Sequence, residues 1–137
     1  MIDAYLAALP AGVAPRILGS RSVFVADDRQ LALELADKGL RRSAARSGAF
    51  RPVDGASVEA LLAAFDSHVG TAQDVIASLS KDSALARVTD VAFQVHSIDP
   101  PHALILRSLE LIATEVAPAL GWTAVAKQKS PFGKEVA

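Results

Sequence analysis

The chain contains no cysteine, which excludes disulfide staples and thiol chemistry. That absence fits a reducing compartment, and a cytoplasmic location is the expectation. Charge of one sign is also lacking: the net charge is −1, so nothing marks a nucleic acid or a membrane surface as partner. The one local basic group, Arg41, Arg42, Arg46 and Arg51, reads as a solvated helix face. No apolar run reaches the ~18 residues needed to cross a bilayer. The first ten residues lack the basic start of a secretory signal. There are no internal repeats. No group of His, Asp and Glu has metal-ligand spacing, so no metal is expected. His68 and His102 are isolated, and Ser97 and Ser108 lack a nucleophile context, so a hydrolase reading has no support.

Apolar residues are abundant by contrast, at 51% of the 137 positions. One domain is the size expectation. For so small a chain the apolar content implies either an unusually large core or an apolar surface covered by other protein.

Along the chain, residues 2–9 form a short apolar segment of helical character, broken by Pro10, Gly12 and Pro15. Residues 22–26 (SVFVA) are a β-rich run of strand length. Asp27 and Asp28 follow and can cap a helix. Leu31, Ala32, Leu35, Ala36, Gly39 and Leu40 then recur at helical spacing. Residues 47–56, with Gly48, Pro52 and Gly55, read as a surface loop. Ser57 opens a second helix with Val58, Leu61, Leu62 and Phe65 on one face, and Gly70 closes that region. Thr71 and Asp74 form a capping box with Asp in place of the usual Glu. Val75, Ile76 and Leu79 are the buried stripe of the helix it starts.

Residues 91–95 (VAFQV) are the second strand, apolar enough to be buried on both faces of a parallel sheet. Pro100 and Pro101 start a helix. Its apolar stripe is Leu104, Ile105, Leu109, Ile112 and Val116, and Pro118 ends it. Residues 121–137 are expected to be a flexible tail, in which Trp122 and Phe132 are either a docking anchor or disordered. Strand, helices, strand, helix implies parallel strands joined by right-handed crossovers.

Three elements carry a family resemblance. SVFVADDRQLALELA resembles a late strand and helix of the luciferase-like, flavin-dependent monooxygenases. HVGTAQDVIASL resembles that family's G-T-P-E-E-V helix start, with Ala72 where the family has proline. RSLELIATEVAPAL resembles its closing helix, through Val116, Pro118, Ala119 and Leu120. The three occur in family order and span about residues 15–120, and residues 1–120 are taken as one C-terminal βα segment. The resemblance implies a (β/α)8 barrel that binds reduced FMN, activates oxygen and oxidises a small organic substrate. A barrel needs about 250 residues, so the expected fold is a partial (β/α)8 barrel, its last two parallel strands with their helices. Two strands alone are not independently stable. The expected partner is therefore a second copy or a chain supplying the remaining strands. Fragment, truncated product and split subunit all stay open, and the chain alone is expected to be inactive. The alternative is a stand-alone α/β interaction module or non-catalytic subunit that forms an oligomer.

Barrel active sites lie at the C-terminal ends of the strands. His96 is the candidate catalytic group, either a proton donor facing the flavin or a histidine bonded locally at a strand end. Gln94 alternates with it and is a candidate to hydrogen-bond a flavin edge or to satisfy buried backbone. Gly70 and Thr71 are candidate FMN-phosphate residues through a helix N-terminus, with capping as the competing role. Asp27 and Asp28 would repel an anion, so capping is the reading there.

Overall fold

Residues 22–26 prove to be the second half of a longer strand, β1 (Leu18–Val25), in a computed structural model that describes residues 1–47 and 55–122. β1 is the middle of a parallel sheet in the order β2-β1-β3. β2 is Ser67–Gly70 and β3 is Asp90–Gln94. The neighbours are staggered: β3 flanks Leu18 to Ser22, and β2 flanks Ser22 to Val25. Val23 thus lies opposite His68, and Arg21 opposite Phe93. The helices are α1 (Ile2–Ala8), α2 (Arg29–Ser47), α3 (Val58–Ala64), α4 (Ala72–Leu79) and α5 (His102–Leu111).

Side chains alternate across a strand, and β1 uses both sides. Val23 and Val25 pack with Ala72, Val75 and Leu79 of α4 and with Leu111, Ile112 and Val116 beyond. Phe24 and Ala26 pack with Ala32, Ala36 and Leu40 of α2, Leu61 of α3, and Ile98. Helices therefore cover both faces of the sheet, which gives three layers. The expected helix-rich α/β fold on parallel strands is present, as an open sheet. Successive barrel units lay their strands in chain order with helices on the outer face. Here the first strand is central and both faces carry helices.

β2 is a third strand that the sequence reading missed, having placed Gly70 at the end of a helical region. Ser-His-Val-Gly is too short to show alternation and holds one strong strand former. Asp66, at φ 47°, turns the chain out of α3 into it. β3 was expected to be buried on both faces, but it is an edge strand with no fully buried residue. Val91 and Phe93 lean on one core, and Gln94 is exposed.

Where β3 stops, α5 continues the cover. The fully buried Ser108 hydroxyl accepts the Val25 N–H at 2.9 Å, satisfying a strand donor that β3 does not reach. Ser108→Ala leaves that donor unpaired and should cost about 1–3 kcal/mol. Urea unfolding reads this directly; a midpoint equal to wild type would show that the hydroxyl adds nothing.

The last helical run ends at Ala119, one residue past Pro118. The chain passes through a π-turn, Ile112–Val116, into α6 (Ala117–Ala119). A proline in a regular helix crowds the carbonyl four residues back and leaves it without a donor. The wider turn accommodates it and lets the adjacent Leu111 and Ile112 both be buried. Thr114 Oγ1 donates to the Glu110 carbonyl at 2.8 Å. A Schellman closure follows: Gly121 N–H donates to the Pro118 carbonyl at 3.0 Å, and Trp122 N–H to that of Ala117 at 2.8 Å. The first two residues of the expected tail thus belong to the helix end. The rest of it, 123–137 with Phe132, lies outside the described residues, as do 48–54 of the expected loop with Arg51. Leu109, assigned to the apolar stripe, is 45% exposed. Among the described residues no helix is long and apolar enough to cross a membrane.

Candidate functional site

The sequence candidates fall at the C-terminal end of the sheet, but on opposite sides of β1: Gly70 and Thr71 follow β2, while Gln94 and His96 end β3. The structure does not bring the two pairs together.

At the β2–α4 joint, Thr71 Oγ1 accepts the Asp74 N–H at 3.3 Å, and Asp74 Oδ2 accepts the Thr71 N–H at 3.0 Å. The Thr71 hydroxyl also donates to Oδ2 at 2.9 Å. These bonds, the backbone one first, hold the Asp74 carboxyl below the usual carboxylate range. A Cβ at Gly70 would lie 2.8 Å from Asp74 Oδ2. The open side of this glycine is therefore filled by the chain's own carboxylate. A flavin phosphate would compete with Asp74 for the same donor, and the residues present do not fit it.

Acids also close the neighbouring joint. Asp28 Oδ1 accepts the Leu31 N–H at 2.6 Å and caps α2. Asp27 is not the cap. It accepts two hydrogen bonds from Arg107 of α5, at 2.9 and 2.7 Å, which lower its pKa. Arg107 also binds Glu110 at 2.7 Å, and Arg29 lies 3.4 Å from Asp74. Arg107 and Arg29 thus offset part of the acidic charge at the strand-to-helix joints of β1 and β2.

Gln94 Nε2 donates to Ser20 Oγ at 2.9 Å, and Ser97 Oγ donates to Ser22 Oγ at 3.0 Å. The space beside them, bordered by Phe24, Val69, Val95 and Ile98, is too tight to admit water. His96 is exposed, and its carbonyl accepts the Asp99 N–H at 2.9 Å. The larger openings lie elsewhere. One of about 460 Å³ runs between α2 and α3, bordered by Glu34, Asp37, Lys38, Arg41 and Glu59. Two of the four arginines named from sequence are paired: Arg41, which borders this opening, binds Asp37, and Arg42 binds Asp99. The other opening, about 350 Å³, follows the outer side of β2 past Leu62, Asp66, His68 and Ser78.

His68, isolated in sequence, acquires surroundings in the fold. Its Nδ1 lies 2.7 Å from Ser78 Oγ, its Nε2 is buried with no partner among the described residues, and burial pushes its pKa down. No sequence signal announced this pair, which joins two elements through a tertiary contact.

No family model matches the chain, and no curated protein matches it. Among solved structures it is similar to the oxygenating constituent of 3,6-diketocamphane monooxygenase from the CAM plasmid of Pseudomonas putida, a type II Baeyer-Villiger monooxygenase in complex with FMN. Identity is 27% and the TM-score 0.49, over 86% of this chain and 37% of that one.

Proposed function

We propose that this chain is a piece or a derivative of a luciferase-like flavin-dependent monooxygenase, and that by itself it neither holds FMN nor oxidises a substrate. The observation that carries the kinship is the order of the three resembling elements. Two of them span strand-to-helix joints at one end of a parallel sheet and the third spans the last helical run, which supports the kinship at the level of the elements. The joints support inactivity. Asp28 and Asp74 occupy the helix starts that would receive a phosphate, and the space beside Gln94 admits nothing. A partner chain that supplies further strands would have to bring the flavin pocket and the small organic substrate site. Gln94 and His96 are then the residues of this chain to substitute first.

The test is an FMN titration of the purified chain, read by flavin fluorescence with light scattering on the same sample. The expected result is no saturable binding. Stoichiometric binding by an oligomer would mean that the chain rebuilds a flavin site, and the inactivity would be wrong.

A second reading, an interaction module that forms an oligomer, is favoured by a specific observation. α1 buries none of its residues, and Met1, Tyr5, Leu6, Leu106 and Leu109 are exposed. A monomer at micromolar concentration in the same scattering run would count against it.

A further inference from the structure

β2 is the shortest strand of the sheet and lies at its edge. It has four residues and one strand neighbour, and its outer side opens on the 350 Å³ groove between α3 and α4. His68 reaches from it to Ser78 on α4, with Nδ1 2.7 Å from the hydroxyl oxygen. The other ring nitrogen is shut away from solvent with no partner among the described residues. That niche suits a neutral imidazole. An imidazolium presents two N–H donors, and the second would be buried with no acceptor, a costly arrangement.

Charges approach the ring from each element around it. Asp66, in the turn before β2, and Asp82, after α4, favour the protonated form, and Arg21 of β1 opposes it. Glu59 of α3 borders the same groove. Arg21 and Asp82 are bound to each other at 2.5 Å with both side chains mostly buried, so their effects at the ring largely offset. Burial is the largest influence and acts against protonation. The pair is not a hydrolytic dyad: Ser78 sits in the last turn of α4, where backbone carbonyls would repel an oxyanion.

We propose that His68 and Ser78 form an acid-released latch that holds the edge strand β2 against α4. A ring outside the niche takes up a proton near pH 6.5, earlier on acidification than the latched ring does. Protonation therefore favours the released state, and the hold weakens as pH falls from about 6.5 through the latched ring's own lower midpoint. Release loosens the edge strand, the place on the sheet where another strand can pair. None of this rests on the flavin kinship.

The test is an NMR titration of the full chain, following the His68 ring and the exchange of the β2 amides from about pH 7.5 to about pH 5. Ring assignment comes from His68→Gln, which keeps an amide group beside Ser78 but cannot titrate. The His68 midpoint is expected below 6.5. Protection of the β2 amides, corrected for intrinsic exchange, is expected to fall with pH in the wild type and to stay level in the variant. A midpoint at or above 6.5, or equal loss of protection in both proteins, overturns the latch. Should the variant fail to fold, the wild type decides: β2 protection must drop over the pH range in which His68 titrates, and a drop elsewhere or none contradicts the proposal.

Discussion

Gly39→Ala should unfold the protein or cost about 3 kcal/mol or more, although alanine is the better helix former by about 1 kcal/mol. Gly39 lies in α2 where residues 95–101 cross it. A Cβ there would sit 1.9 Å from the Ile98 carbonyl oxygen and 2.8 Å from the Ile98 Cα. Those are backbone atoms, and the crossing segment has little room to retreat. Ile98 is 2% exposed, Asp99 is bound to Arg42 at 2.7 Å, and the Asp99 N–H is tied back to the His96 carbonyl. Relief requires pulling Ile98 out of the core between α2 and the sheet. Urea unfolding of the variant, or loss of its folded signal, reads the outcome. A midpoint at or above that of wild type would mean that α2 does not cross the chain at Ile98.

Phe24→Ala should cost about 3–5 kcal/mol. Phe24 is 1% exposed in the central strand and is the largest fully buried side chain of the core shared by α2 and α3. The core beyond the sheet, built on Val23 and Val25, lies on the other face of β1 and cannot close the void. The neighbours on its own face are anchored by two helices, so collapse into the cavity is limited. Leu106→Ala, on an exposed position of α5, should stay within about 0.5 kcal/mol. Paired denaturation curves separate the two cases. Near-equal losses would contradict the placement of Phe24 in a core.

The features legible in the sequence were the local ones. The strand, aspartate cap and helix near residues 22–45 appeared because period, cap and charge pattern lie within one short window. The Thr71–Asp74 capping box was visible for the same reason and is present. β2 was hidden because four residues carry too little pattern. The ranking of the strands was hidden too: SVFVA and VAFQV look alike in composition, yet the first is central and the second is an edge. Only the partners decide that. The site was less legible still. Ser108 meets Val25 across 83 positions, and Arg107 meets Asp27 across 80. The carboxylate that fills the open side of Gly70 comes from Asp74. It was read as a cap, and its effect on an incoming anion appears only in three dimensions.

The strand order matters most to the functional reading. Among the described residues, β1 is central and helices cover both faces of the sheet, so neither face stands open as the inner wall of a barrel does. Backbone Overhauser contacts in the isotopically labelled full chain measure that order. The expected pattern places β1 against both partners, with Val23 opposite His68 and Arg21 opposite Phe93, and shows no contact between β2 and β3. Contacts joining β2 directly to β3, with β1 outside, would contradict it. They would restore a chain-order sheet with one open face, on which a flavin site could be built.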